Sequence, residues 1–321
     1  MRRNSMKRKI RRFLAVLLST AMCLSLVACG DEVVITEDNT QNAQVTEVTE
    51  QQEPVSEVQE EDGSWAVYWY LCGSDLETNG GFATTDLDEM LQVDLPENVN
   101  VVIQTGGAAV WQNEYMDPAK IQRWLYNSEG LQLLEEQDTA NMGEAQTLYE
   151  FLAFANENYP ADKVAVTFWN HGGGSVNGAA FDEIYGYDSL DLSEMYQAFD
   201  AVWPADTDNP SLELVGFDTC LMATIDVAAV FQNFAKYLVA SEEVEPGNGW
   251  YYTGWLGALA DNPGMNGEDL GIAICNSYYE GCEAVGTQDQ TTLSVTNLTK
   301  LTPLLDAYET FGQEAFVAAT E

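Results

Sequence analysis

The chain has 321 residues, 46% of them apolar, and 52 acidic against 12 basic residues give it a formal charge of −40. This apolar content supports a globular core and excludes a wholly disordered protein. The negative field excludes binding to nucleic acids or anionic lipid surfaces and favours cationic partners. Seven basic residues lie in the first 12 positions, so the remainder carries five against 52, a charge of −47. Solubility outside the cell and steering of a cationic substrate both explain such a charge.

The first 29 residues predict a targeting segment. A basic stretch that ends at Arg12 precedes an apolar run from Phe13 to Ala28, which is the order of a signal peptide and not of a membrane span. The run ends in Leu26-Val27-Ala28-Cys29 and resembles a bacterial lipobox. We therefore expect a lipid on Cys29 that anchors the protein to the outer face of the cytoplasmic membrane. An ordinary signal peptide that is cut nearby is the alternative.

Residues 30–62 predict a disordered acidic tether, because they hold eleven acidic residues and no basic one. One folded domain is expected over residues 63–321. The chain ends at Glu321 within a predicted helix, so we expect this domain to be incomplete at its C-terminal end. Cys275 and Cys282 are expected to be buried, unpaired side chains, because seven residues of helix separate them by roughly 10 Å.

Apolar runs of strand length alternate with helical patterns through the folded part. Such a pattern predicts an α/β fold whose mainly parallel sheet is covered by helices on both faces. The turn that follows the first strand is placed at 72–77, and Asp191 is expected to cap a helix. Strands are predicted at 65–71, 99–104, 121–126, 131–134, 164–170, 212–219, 237–241 and 291–297. Helices are predicted at 84–93, 143–159, 192–202, 223–235, 270–285 and 303–319.

Two of these strands deliver a reactive side chain each. His171 follows one strand and Cys220 follows another, and parallel sheets place their sites at the carboxyl ends of strands. His171 is the only histidine, which excludes a site built from several histidines. A buried structural cysteine and a surface histidine are the simpler interpretations of each residue alone. Their joint placement instead predicts a nucleophile and its base, with the helix expected near Ala223 helping to lower the pKa of the thiol.

Four segments around these residues resemble the clostripain family of cysteine peptidases. The resemblance implies a caspase-like α/β/α sandwich, a catalytic dyad of His171 and Cys220, and backbone oxyanion donors at Gly172 and Cys220. It also implies cleavage after Arg or Lys. The segments are Leu71–Glu77, Asn170–Gly174, Asp218–Ala223 and Ser241–Trp250.

The resemblance also implies where a basic substrate side chain binds. Asp218 stands two residues before the nucleophile, where the family places a carboxylate of its specificity pocket, and a local cap at the strand end is the alternative. The loop expected beside this pocket carries Glu242, Glu243, Glu245 and Asn248, of which we assign Glu242, Glu243 and Asn248 to substrate binding. Asp75 is expected to brace its loop and not to react.

The sequence thus predicts a secreted, lipid-anchored cysteine endopeptidase that acts as a monomer on peptides with basic residues. No Lys or Arg occurs from Val164 to Ala235, which argues against the activation cleavage that the resemblance implies. A surface lipoprotein that binds basic peptides in an acidic cleft without turnover is the alternative. A disulfide oxidoreductase is disfavoured because no Cys-x-x-Cys occurs. No cofactor is predicted; the acidic loops leave calcium open, but they contain no spaced calcium-binding motif.

Overall fold

The structure is a computed structural model that describes residues 63–320. The predicted signal peptide, the lipidation site at Cys29 and the acidic tether lie outside the described residues. Within residues 63–320, no helix has the length and apolar character needed to cross a bilayer.

An eight-stranded sheet forms the centre of this domain, in the order β10-β9-β8-β5-β1-β2-β3-β4. Its five central strands are parallel, whereas β3, β4 and β10 run antiparallel at the two margins. The remaining two strands, β6 and β7, form a separate ribbon. The strands are β1 (Trp65–Cys72), β2 (Val99–Gly106), β3 (Lys120–Asn127), β4 (Gly130–Asp138), β5 (Lys163–Trp169), β6 (Ala179–Asp182), β7 (Asp188–Leu190), β8 (Leu212–Asp218), β9 (Ala235–Ser241) and β10 (Leu293–Asn297).

Helices cover both faces of the sheet, and β1 shows why. Tyr68 and Tyr70 point into one buried core with α3, α5 and α6, while Trp65 and Trp69 point into a second core with α2, α7 and α8. Because side chains alternate along a strand, a strand that is apolar throughout needs cover on both faces. This confirms the predicted α/β architecture. The helices are α1 (Ser74–Gly80), α2 (Phe82–Met90), α3 (Ala145–Asn158), α4 (Gly174–Asn177), α5 (Leu192–Asp200), α6 (Ile225–Phe231), α7 (Tyr252–Asp261), α8 (Gly267–Val285) and α9 (Thr302–Thr320).

Three local features differ from the sequence expectation. The stretch 72–77 is predicted as a turn, yet α1 begins within it at Ser74, two residues after the end of β1. Ser74 has a φ of 52°, a left-handed conformation. The ribbon of β6 and β7 was not predicted. Neither was α7, because Gly254 and Gly257 lower its intrinsic helix propensity; buried Trp255 holds it through tertiary packing instead.

Two smaller expectations can be compared directly with the coordinates. Asp191 caps α5 in a capping box, in which its side chain accepts from the backbone N–H of Glu194, as predicted. Cys275 and Cys282 are both free thiols, as expected, but only Cys282 is fully buried. The prediction that Cys275 is buried was therefore wrong in degree, since its place on α8 leaves it partly exposed.

Candidate active site

Strand register brings His171 and Cys220 to the same edge of the sheet. In the pairing of β5 with β8, Trp169 is opposite Asp218, so each reactive residue lies two positions beyond a paired residue. Adjacent strands are roughly 4.8 Å apart. The backbone contact continues past the ladder, because the N–H of Asn170 donates to the carbonyl of Asp218 at 3.4 Å. Backbone hydrogen bonds therefore determine the spacing of the two reactive residues.

Gly172 allows the histidine loop to lie directly on the backbone of the cysteine loop. A Cβ atom at Gly172 would lie 2.0 Å from the carbonyl oxygen of Cys220 and 2.6 Å from Oγ1 of Thr219. No side chain fits there. On the other side of the nucleophile, Leu221 has a φ of 67°, a left-handed conformation that is uncommon for a residue with a side chain. Its N–H donates to the carbonyl of Glu243 at 3.1 Å, which holds this sharp turn.

Cys220 is partly exposed, and its Sγ accepts a hydrogen bond from the N–H of Glu245 at 3.3 Å. A donor at this position stabilises a thiolate. The helix expected to assist begins later than predicted, at Ile225, and Thr224 caps it by accepting from the N–H of Val227. The backbone donor that contacts Cys220 is thus the amide of Glu245 and not the helix terminus.

His171 is oriented by a carboxylate. Its Nε2 lies 2.9 Å from Oδ1 of Asp75, which α1 presents just beyond the end of β1. Burial alone raises the pKa of Asp75, but the hydrogen bond and the charge of His171 outweigh it and bring the pKa below its ordinary value. Asp75, which we expected to brace its own loop, therefore contacts the imidazole, and this contact leaves Nδ1 of His171 for other partners.

Asn170 fixes the loop that carries the histidine. Its Nδ2 donates to the carbonyl of Cys72 and its Oδ1 accepts from the N–H of Phe181, both at 2.7 Å. The first bond ties the end of β5 to the end of β1, and the second ties it to β6. A buried side chain that is satisfied on both atoms restricts the loop to one position.

The backbone amides of Gly172 and Cys220 are available as donors. The bridge between Gly172 and Ala179 uses the N–H of Gly173, which donates to the carbonyl of Gly178 at 2.7 Å. Neither the N–H of Gly172 nor that of Cys220 donates to an acceptor within residues 63–320. These are the two amides that the resemblance implied as oxyanion donors, and paired amides beside a nucleophile suit that role.

A cavity of about 250 Å³ opens beside these groups, and we call it the His–Cys cavity. Asp218 lies in it with 4% of its surface exposed. Its Oδ1 accepts from the N–H of Trp250 at 3.2 Å and its Oδ2 from the hydroxyl of Tyr252 at 2.9 Å. Burial raises the pKa of Asp218 to about 7, although its hydrogen bonds with Tyr252, Glu245 and the N–H of Trp250 act in the opposite direction. The cavity is lined by Leu76, Phe82, Asp86, Trp169, Asn170, His171, Asp218, Thr219, Cys220, Val244, Glu245, Pro246, Gly247 and Gly249.

Two further carboxylates line this cavity, and we call Asp86, Asp218 and Glu245 the carboxylate cluster. Asp86 is 2% exposed, and Nε1 of Trp169 donates to its Oδ2 at 2.6 Å. Burial and then the charge of Asp218 raise the pKa of Asp86 well above its ordinary value. The same two causes raise the pKa of Glu245, whose carboxylate oxygens are buried and which also shares a hydrogen bond with Asp218.

The sequence interpretation missed Asp86 and did not choose Glu245. Asp86 carried a signal, because it falls in the buried stripe of α2 between apolar Ala83 and Leu87. An unpaired carboxylate in such a stripe is uncommon unless it has a function. Within residues 63–320, no three His, Cys, Asp or Glu side chains are placed to hold one metal ion.

The other residues assigned to substrate binding do not line the His–Cys cavity. Glu242 and Glu243 are exposed. Asn248 points away from the cavity toward α8, where its Oδ1 accepts from the hydroxyl of Thr287 at 3.2 Å. Its Nδ2 lies 3.3 Å from Sγ of Cys282. Asn248 therefore holds the loop, and the carboxylate that the loop contributes to the cavity is Glu245.

Comparison with known proteins bears on the family and the fold. A sequence model of the clostripain family matches residues 69–320. Clostripain from Hathewaya histolytica is 31% identical over 142 residues, which are 40% of this chain but only 27% of the length of that protein. Two solved structures share the fold. A secreted C11 cysteine protease from Bacteroides thetaiotaomicron, in complex with an irreversible peptide inhibitor, has a TM-score of 0.58 at 22% identity, covering 76% of this chain and 69% of its own.

The second structure is an inactive zymogen C11 protease from Parabacteroides distasonis. It has a TM-score of 0.56 at 19% identity, and the match covers 75% of this chain and 63% of its own. At such identities the two likenesses establish the fold, which is the one predicted from the sequence.

Proposed function

Because the chain belongs to the clostripain family, we propose that it is a cysteine endopeptidase that cleaves peptide bonds after basic residues. The observation that carries this proposal is the placement of a thiol and an imidazole in the lining of one cavity with an acidic interior, with the unoccupied amides of Gly172 and Cys220 beside them in the chain. Acyl transfer needs a nucleophile, a base and donors for the oxyanion. The chain supplies all three, so the proposed mechanism uses no cofactor.

The proposed reaction follows from these positions. His171 takes the proton of the Cys220 thiol, and the thiolate attacks the carbonyl carbon of the scissile bond. The N–H groups of Gly172 and Cys220 stabilise the resulting oxyanion. When the intermediate collapses, the C–N bond breaks and His171 donates its proton to the leaving amine, which leaves a thioester on Cys220. Water, deprotonated by His171, then hydrolyses the thioester and releases the carboxylic acid product.

Asp75 supports this cycle from behind the imidazole. Its contact with Nε2 of His171 keeps the ring in one orientation and stabilises the imidazolium that forms in each half of the reaction. Asp218 lies beside the position of the nucleophile in the sequence and in the cavity. A basic substrate side chain that enters the cavity meets this carboxylate, and the paired charges explain the proposed preference for Arg or Lys.

A hydrolysis assay tests the proposal directly. Peptides that carry a fluorogenic coumarin after Arg or Lys are incubated with the wild-type protein, with Cys220→Ala and with the matched control Cys275→Ala. Cys275 is also a partly exposed free thiol, but it lies on α8 away from His171. Wild type and control are expected to hydrolyse the peptides and Cys220→Ala to be inactive. Hydrolysis that survives in Cys220→Ala would refute the assigned nucleophile, and tight binding without turnover by the wild type would favour a peptide-binding lipoprotein.

We further propose that the protein is anchored by a lipid on Cys29 and acts outside the cytoplasmic membrane. The basic start, the apolar run and the lipobox-like end of residues 1–29 support this location. Expression of wild type and Cys29→Ser in a bacterial host tests it by partition into a detergent phase. Wild type is expected in the detergent phase and the variant in the aqueous phase. Equal partition of both would exclude anchorage at Cys29.

A further inference from the structure

We propose that Asp86 is a second specificity residue of the His–Cys cavity, which binds the guanidinium of a substrate arginine and so selects arginine over lysine. The inference rests on the proposed peptidase function. In addition to the carboxylate of Asp218, which lies at the end of β8, a second carboxylate on α2 would then contact the substrate side chain.

The first observation is the number of acceptor sites that remain open in the cavity. Both oxygens of Asp218 already accept hydrogen bonds from the protein, whereas Asp86 accepts only one, at Oδ2 from Trp169. Oδ1 of Asp86 accepts none from the described residues, whereas Glu245 shares a hydrogen bond with Asp218. A new donor that enters the cavity therefore finds an open acceptor at Oδ1 of Asp86, while Asp218 and Glu245 contribute mainly their charge.

The second observation is that two of these carboxylates flank one glycine. A Cβ atom at Gly249 would lie 3.3 Å from Oδ1 of Asp218 and 3.4 Å from Oδ2 of Asp86, so these two oxygens are at most 6.7 Å apart. Gly249 has a φ of +59° and leaves the space between them without a side chain. A planar guanidinium with five N–H donors can reach two carboxylates on different elements, but an ammonium is a single point with three donors.

The third observation is that neither Lys nor Arg supplies an internal counter-ion. No Lys or Arg lines the His–Cys cavity. In the described domain Lys120, Arg123 and Lys236 pair with acidic partners elsewhere, and Lys163 donates to backbone carbonyls. Buried carboxylates that face one another without a cation destabilise one another. A cationic side chain of the substrate relieves this repulsion, so substrate binding explains why three carboxylates are buried together, whereas packing alone does not.

Matched substrates separate a specificity role from a structural one. Two peptide coumarins that differ only in Arg or Lys before the coumarin are compared on wild type, Asp86→Asn and Glu245→Gln. Asp88→Asn is the control, because Asp88 is exposed on the same helix. Asn at position 86 keeps an oxygen that accepts from Trp169, so the fold is retained. The rate of alkylation of Cys220 by neutral iodoacetamide reports whether the dyad is intact.

We expect Asp86→Asn to lower kcat/KM for the Arg peptide by roughly 10- to 100-fold, the range for loss of one charged hydrogen bond. The Lys peptide is expected to lose less, so the Arg/Lys ratio falls, while alkylation of Cys220 is unchanged. Glu245→Gln is expected to shift the ratio in the same direction, and Asp88→Asn not at all. Equal losses for both peptides, or an unchanged Arg/Lys ratio, would overturn the proposal.

Binding to Cys220→Ala separates this inference from the peptidase function. The affinities of N-acetyl-arginine amide and N-acetyl-lysine amide are measured by calorimetry with and without Asp86→Asn. If Asp86→Asn selectively weakens the binding of the arginine amide, the role of Asp86 is supported even when the wild type hydrolyses nothing. If the affinity for the arginine amide is the same with and without Asp86→Asn, the role of Asp86 is overturned even when hydrolysis is observed.

Discussion

Replacing Asp218 by Asn should make the stability of the domain less sensitive to pH. The folded pKa of Asp218 is about 7, against an ordinary value of 3.8, because the side chain is buried. Between these two values the folded state holds a proton that the unfolded state has lost, so stability decreases as pH rises through this window. Relative to low pH, this difference lowers the free energy of unfolding by about 2 kcal/mol at pH 5, where only the unfolded group has ionised, and by about 4 kcal/mol at pH 8. Asn does not titrate and removes the contribution of Asp218 to this dependence.

Urea unfolding of wild type and Asp218→Asn at pH 5 and pH 8 measures the effect. The free energy of unfolding of the variant relative to wild type should rise by about 2 to 3 kcal/mol between the two pH values. In a domain of this size that equals roughly 5–10 °C in Tm. Asp208→Asn is the matched control, because Asp208 is exposed, and its difference from wild type should not change with pH. If Asp218→Asn behaves like this control, burial does not govern the ionisation of Asp218.

Three further outcomes follow from the site. Asp75→Asn should lower kcat/KM by roughly 10- to 100-fold and slow the alkylation of Cys220 by iodoacetamide, because one charged hydrogen bond to His171 is lost. Wild-type values of kcat/KM and of the alkylation rate would show that Asp75 has no role in the site. Gly172→Ala should abolish turnover, because its Cβ would collide with the carbonyl of Cys220, whereas Gly257→Ala, with open space around it, should leave activity unchanged. Comparable activity of the two variants would contradict the close packing at Gly172. Dialysis against EDTA should not change kcat/KM, since every proposed catalytic group belongs to the chain, and activity that returns only with added calcium would show that a metal is needed.

The sequence could predict the positions of His171 and Cys220 because each follows a continuous apolar run, and such runs are strong signals for buried parallel strands. Strand order then brings the two together without any side-chain information. The contact between Asp75 and His171 could not be predicted in this way. It depends on the pairing of β1 with β5 and on the unexpected start of α1 at Ser74. Neither feature can be inferred from two residues that lie 96 positions apart in the sequence.

The carboxylate cluster shows a different limit. Asp218 was predicted because the resemblance carried it, but Asp86 lies more than 130 positions earlier, on a helix that packs beneath the loop of Gly249. Glu242 and Glu243 have the same chemistry as Glu245 and differ from it only in where the loop turns them. Composition identified an acidic loop, and only the backbone path determines which carboxylate of that loop enters the cavity.

The pairing of β5 with β8 also has a topological consequence. Residues 172–211 connect β5 to the neighbouring strand β8, but the backbone hydrogen bonds that pair these two strands involve none of these residues. Its stretch 206–209 is exposed and carries no regular structure. A break in the polypeptide there would leave the ladder from Ala165 to Trp169 and its partner strand intact. The His–Cys cavity is thus lined by two pieces of backbone that need to be neighbours but need not be covalently continuous, and we expect two separately expressed fragments that meet at this point to form the same cavity.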